Sequence, residues 1–292
     1  MGGALSQRAI VLGTAVVGFL FSTSFAHAMG AAPATPGQLR AMPELKHQYR
    51  SVEQELVDRE GDILMVFAHP DDELATLPQV GRLHRIWPER KIRWVLVSNA
   101  AKGMTFPGTC HFQSKQECRE AEAARAGACF HLDPPNPMGL PDGGLRSVKK
   151  LQEKVWQKID EVSPGPIAVI FTHDEAGLYG HADHLAVHDV VVPEAQKRGI
   201  PVVTGALTQL MMEKVPLREP ASSENRKRPV ITHALDLDEA EKDQSACAAK
   251  AHKSQWLLVR TFMQFESPRT FYRNVPRVFM NMPEPASSSQ RD

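Results

Sequence analysis

An α/β fold with a mostly parallel sheet and helices on both faces is predicted by three features of this 292-residue sequence. Six short runs are apolar along nearly their whole length, as strands covered on both faces must be. Helix-patterned stretches with capping residues separate those runs. The βαβαβαβ alternation then calls for crossover connections and parallel neighbours, the arrangement of a Rossmann-like sandwich.

The elements follow in order. Residues 44–60 read as a first helix, and DILMVFA (62–68) as the first strand. The helix 73–87 leads to IRWVLVS (92–98), and the helix 115–127 to ACFHL (128–132). The helix 143–162 precedes IAVIFT (167–172), and 181–198 precedes IPVVTGALT (200–208). PVITHAL (229–235) is the sixth strand, and 238–256 the helix after it. In WLLVRTFMQF (256–265) the aromatic residues read as core rather than as a platform for a sugar.

The N-terminus is different in kind. AIVLGTAVVGFLF (9–21) follows a polar start with Arg8, and STSFAHA places Ala26 and Ala28 at the −3 and −1 positions of a cut. That is the pattern of a secretory signal peptide over 1–28. The apolar run is shorter than the roughly 20 residues of a spanning helix, so no membrane span is expected after cleavage. Residues 29–43 read as a linker, 44–282 as one catalytic domain and 283–292 as a loose tail. An exported chain, periplasmic or secreted, is expected. The 34 basic and 34 acidic side chains balance, which removes the field a nucleic-acid partner would need. Nothing in the pattern sets an oligomeric state.

Export makes an oxidising compartment, and the four cysteines are an even set. Cys110 and Cys118 are near enough in sequence to staple a loop. Cys129 with Cys247 is the remaining pairing, evenly balanced for and against a bridge, and zinc ligation is the rival for all four, though no CxxC occurs.

Chemistry concentrates in two loops, each leaving an apolar strand. AHPDDE (68–73) follows the first strand, and THDEAGLYGHADHLAVHD (172–189) the fourth. In doubly wound sheets ligand sites lie beyond the carboxyl ends of strands. A His and an Asp from the first loop with a His from the second would form a catalytic zinc site, three protein ligands with one position open. A second aspartate beside it then has work as a general base. Helix capping by Asp71 and Asp72 is the plain alternative. Glu73 reads as a first-turn acid or a ligand-orienting group rather than a ligand, and His188 as packed or solvent-facing. His173 at the strand end stands between pocket and structure, as His252 and Gln255 do between site support and capping.

AHPDDE with GHADH about 110 residues later resembles the PIG-L/LmbE-like zinc-dependent N-acetylglucosaminyl de-N-acetylases. CREAEAAR with Arg119 and Glu122, LPDGGL (140–145) and AHKSQW (251–256) extend the resemblance over about 60–256. It implies Zn²⁺ held by His69, Asp72 and His184, with Asp71 as the general base. It further implies His181 as oxyanion stabiliser or acid, and Asp183 as the group orienting a histidine. Arg119 either binds a substrate hydroxyl or phosphate, or pairs with Glu122 one turn on. The implied reaction is hydrolysis of the acetamide of an N-acetylated amino sugar or glycoconjugate by zinc-activated water. The loop NAAKGMTFPGTCHFQSKQ (99–116) departs from the family pattern, so the substrate is the least specified part. Two readings of other classes stay open: a carbohydrate-binding protein without turnover, and a metal-dependent hydrolase cutting another amide or an ester.

Overall fold

The computed structural model describes residues 49–103, 105–110, 114–205, 224–263, 266–275 and 277–282. The signal peptide, linker and tail expected from the sequence lie outside these residues, as do positions 44–48 and 206–208 of two expected elements. Among the described residues no helix is long and apolar enough to cross a membrane.

Among the described residues, seven strands form one sheet in the order β3-β2-β1-β4-β5-β7-β6. These are β1 (Asp62–Phe67), β2 (Ile92–Ser98), β3 (Asn136–Leu140), β4 (Ile167–Thr172), β5 (Val202–Gly205), β6 (His233–Asp236) and β7 (Arg277–Asn281). The first five are parallel, whereas β7 runs antiparallel to β5 and β6.

Successive side chains of a strand point to opposite faces, and here each face meets its own helical layer. Ile63, Met65 and Phe67 of β1 join one core, with α1 (Val52–Leu56), α2 (Leu77–Ile86), α3 (Lys115–Ala128) and α6 (Glu239–Ala251). Leu64, Val66 and Ala68 join the other, under α4 (Leu151–Val162) and α5 (Ala182–Lys197). Two covered faces explain why DILMVFA never alternates with polar residues. The chain continues from Gln255 through α7 (Trp256–Phe262) and α8 (Pro268–Asn274) into β7.

The third strand is not where the sequence pattern put it. ACFHL finishes α3 and turns, with the Phe130 and Leu132 amides both donating to the Gly127 carbonyl at 2.8 and 3.1 Å. Its apolar side chains serve the helix layer, since Phe130 packs on Gly81 of α2. The strand is instead NPMGL, at the sheet edge, where Pro137 is tolerated. Three expected helices also break, that over 238–256 at His252. Residues 143–162 become a short turn Leu145–Ser147 and α4, because Gly143 and Lys150 take positive φ. Residues 73–87 split into a turn Asp72–Ala75 and α2, with Pro78 in the first turn of the latter. Trp256, expected in the core, is 46% exposed.

Both cysteine pairs are bonded, Cys110 to Cys118 and Cys129 to Cys247. The second ties the end of α3 to α6.

Gly81 gives a test of the packing. It lies inside α2, where alanine normally gains about 1 kcal/mol of helix propensity. A Cβ there would lie 2.3 Å from Cδ1 of the buried Phe130 ring, and overpacking of that kind costs about 1–3 kcal/mol. Gly81→Ala is therefore expected to lower the denaturant midpoint at unchanged m; a rise would show that the ring yields freely.

Candidate metal centre and active site

The strand order reverses at β1. β2 and β3 lie on one side of it, and β4 and β5 on the other. The loops leaving β1 and β4 consequently face one crevice, the usual ligand position of such sheets. Two bonds lock the strand ends together: Thr172 Oγ1 donates to the Val66 carbonyl at 2.8 Å, and the Ala68 amide donates to His173 Nε2 at 2.9 Å.

After Ala68 the chain turns sharply. His69 donates its amide to Asp72 Oδ2 at 2.7 Å, and Asp71 adopts φ 102° and ψ −21°. That left-handed conformation costs a non-glycine residue on the order of 1–3 kcal/mol and is concentrated at functional sites. After β4, Asp174 Oδ1 accepts from the Ala176 and Leu178 amides at 2.7 and 3.2 Å, closing a turn with Gly177 at φ 58°. His181 then caps α5, its Nδ1 accepting the Asp183 amide at 3.2 Å. One helical turn thus delivers His181, Asp183 and His184 to the crevice. His188, one turn on, points its Nδ1 to the His173 carbonyl at 2.9 Å instead.

His69, Asp72 and His184 meet at one corner. His69 Nδ1 is 3.3 Å from His184 Nε2 and 3.3 Å from Asp72 Oδ2, and His184 Nε2 is 3.1 Å from Asp72 Oδ1. Partners fix the tautomers. The Gly177 carbonyl, 3.2 Å from His184 Nδ1, only accepts, so that nitrogen carries the proton and Nε2 presents a lone pair. His69 Nε2 faces Asp142 Oδ1 and Asp183 Oδ2, each at 3.3 Å, so its proton belongs there and Nδ1 presents the other lone pair. Two lone pairs and a carboxylate converging on one point suit a cation held between them. Ligands about 2.0–2.1 Å from a tetrahedral zinc ion stand about 3.3 Å apart, so the corner fits that ion. His69, His181 and His184 form an overlapping set of converging nitrogens, and Asp72, His173 and His184 another.

Without a metal, a proton takes the cation's place. Burial opposes a charge on His69, but Asp142, Asp183 and Asp72 outweigh it and hold the imidazole well above its ordinary pKa. Burial likewise opposes charge on Asp72, and His184 and His173 overcome it, keeping the carboxyl well below the carboxylate range. Metal and proton compete for the same His69 lone pair.

Asp71 and His181 flank the corner. Burial, with the charges of Asp72 and Glu73 and against Arg119 and His252, pushes the Asp71 carboxyl up to about 6. Its Oδ2 lies 3.3 Å from Arg119 Nη2, yet no hydrogen bond of good geometry reaches that oxygen. Burial, then His184 and His69, push His181 down to about 4. The ordinary order of a carboxyl and an imidazole is inverted, which divides the roles: an ionised carboxylate able to take a proton, and a neutral imidazole whose Nε2–H is a donor. Tyr179 adds a ring 6.0 Å from that of His181.

Arg119 and Glu122 do not pair with each other. Arg119 is buried behind Asp71, donating to the Pro70 carbonyl at 2.7 Å and the Ala100 carbonyl at 3.4 Å. Glu122 accepts from the amide and hydroxyl of Ser254 at 2.7 and 2.6 Å. Asp183 accepts the Gly143 and Leu145 amides at 2.6 and 3.1 Å, so it binds the LPDGGL loop as well as His69. Sequence reasoning missed Asp142, whose Oδ2 accepts the Lys102 and Gly103 amides at 2.7 and 3.1 Å while Oδ1 faces His69. Its signal was the PDGG turn inside a motif already singled out.

Residues 64–194 match the PIG-L family, described as GlcNAc-PI de-N-acetylase. A 1D-myo-inositol 2-acetamido-2-deoxy-α-D-glucopyranoside deacetylase of Saccharomonospora viridis is 28% identical over 232 residues, 66% of this chain and 84% of the relative. Two solved structures share the fold. A conserved protein of Thermus thermophilus has a TM-score of 0.52 at 18% identity, over 78% of this chain and 96% of its own. The N,N'-diacetylchitobiose deacetylase of Pyrococcus horikoshii has 0.52 at 12% identity, over 88% and 95%. The β1 loop and the β4 loop that converge on one corner both lie inside the span that matches the PIG-L family.

Proposed function

We propose that this protein is an exported, zinc-dependent de-N-acetylase acting on an N-acetylated amino sugar or glycoconjugate. The observation that carries the reading is the corner of three mutually facing acceptors, with a carboxylate and a neutral imidazole on its flanks. The family description and the deacetylase named for Saccharomonospora viridis support the acetamide as the bond cut. The signal-peptide pattern and two disulfides support export.

His69, Asp72 and His184 would hold the metal. A zinc ion there would polarise an amide carbonyl and lower the pKa of a water molecule to about 7. Asp71 takes the proton from the attacking water, because at neutral pH its carboxyl is ionised yet not strongly acidic. His181 donates from Nε2 to the carbonyl oxygen as charge develops on it, its Nδ1 being occupied by the Asp183 amide. Protonated Asp71 then returns the proton to the departing amine, leaving acetate and a primary amine.

The test is acetate and amine release by the mature chain from a panel of N-acetylglucosamine conjugates, before and after chelation. Equimolar products, lost with chelator and restored by zinc, are expected. A metal-replete protein releasing no acetate would overturn the reading.

A further inference from the structure

Asp71 is held in an uncommon backbone conformation by a neighbouring carboxylate that is itself held from a distant part of the sequence. Its amide donates to Glu73 Oε2 at 2.8 Å. The other oxygen of Glu73 is 2.6 Å from His252 Nε2, and both side chains are 0% exposed. Glu73 therefore has its two oxygens divided, one for the backbone of Asp71 and one for an imidazole 179 residues away.

The connection is directional. A glutamate side chain with one free end can rotate away from an amide, and a left-handed aspartate without its anchor relaxes toward ordinary φ. His252 removes that freedom by fixing the far end of Glu73. His252 is itself fixed at the break after α6, where Ser254 is tied to Glu122 of α3 through both its amide and its hydroxyl. Neither His252 nor Glu73 reaches the crevice, so neither is a ligand or a substrate contact. Capping of α6 does not account for the pair either, because the Nε2 of His252 is directed at a carboxylate on another element.

We propose that His252 is a positioning residue for the reaction, acting through Glu73 to hold Asp71 in the left-handed conformation that aims its carboxylate. The inference rests on the reading of Asp71 as general base given above. It assigns a task to the AHKSQW segment and to the last residue of AHPDDE.

Misplacing a catalytic group by about 1 Å costs about a hundredfold in rate. His252→Leu should accordingly lower kcat about a hundredfold, with KM and bound zinc within about twofold of wild type. His252→Gln, whose amide nitrogen overlays Nε2, should restore kcat to within about tenfold. His252→Asn places its amide nitrogen where Nδ1 was and should not; this Gln and Asn pair decides the matter should the leucine variant fail to fold, since both are small and polar. In an Asp71→Asn background, His252→Asn should remove nothing further from the residual rate. Loss of zinc or a rise in KM in parallel with kcat, equal behaviour of Gln and Asn, or an undiminished cost in the Asp71→Asn background would each overturn the inference. The wild type is assayed first: if it releases no acetate, the functional reading fails, whereas an active wild type with indifferent His252 variants sinks this inference alone.

Discussion

His184→Ala should leave the purified protein with far less than one zinc per chain, and acetate release should fall below about a thousandth of wild type. Loss of a residue that merely orients a ligand costs 10–100-fold in metal affinity, and removal of a ligand must exceed that. The direction of its proton supports the proposed ligand role of His184: Nδ1 faces the Gly177 carbonyl, which leaves Nε2 for the corner. Alanine there removes one of the three acceptors and leaves Asp72 and His69 Nδ1 in place. The variant should still fold, because the strand-end bonds of Thr172 and His173 do not involve His184. Metal content after dialysis, with a competition titration, reads the result; wild-type retention of zinc would remove His184 from the ligand set. The same corner sets a pH dependence. His69 is held protonated well above its ordinary range when no metal is present, so binding must expel one proton. Apparent affinity should fall about tenfold per pH unit as pH drops through the neutral range.

Local signals carried far in this chain because its strands are covered on both faces. DILMVFA, IRWVLVS and IAVIFT are apolar throughout for that reason, and their limits in the structure differ from the expected ones by at most one residue. The rule that ligand sites gather at strand ends put AHPDDE and GHADH on the same rim of the sheet, and the pairing of β1 with β4, which no local pattern sets, brings them to one crevice. ACFHL misled because apolar residues at a helix end, anchored on Gly81, look like a short strand. The edge strand NPMGL was invisible because Pro137 and Gly139 dilute its pattern. β7 pairs antiparallel with β5 and β6 through partners far apart in sequence, and no local feature announces it. The same distinction holds within the site. His69, Asp71, Asp72, His181, Asp183 and His184 come from two compact motifs, whereas the bond between Glu73 and His252 exists only because α6 ends beside the turn after β1. Arg119 paired with Glu122 was a reasonable helical expectation, but tertiary partners for both proved better.

Asp71→Asn should lower kcat by about 10²–10⁴-fold while zinc content and KM stay near wild type. The substitution keeps the shape of the side chain and a carbonyl oxygen for contacts, and it removes the ability to accept a proton at neutral pH. Asp71 is not one of the three acceptors at the corner, so metal retention distinguishes this variant from His184→Ala. The backbone need not change, since the amide bond to Glu73 and the left-handed φ belong to the main chain, and asparagine tolerates that region better than most residues. Burial raises the carboxyl in the wild type, Arg119 opposes that rise and the Asp72 charge adds to it, and a cation at the corner would draw it back down. The proposed base acts in its ionised form, so kcat/KM should rise with pH along an acid limb, and that limb should be absent from the residual activity of the variant. Arg119 beside the new amide would then be a buried cation without its carboxylate partner, so a modest fall in stability, on the order of 1–3 kcal/mol, should accompany the kinetic loss. A variant that keeps its zinc and more than about a tenth of the wild-type rate would show that the proton goes elsewhere, and Asp71 would revert to a structural residue at a strained turn.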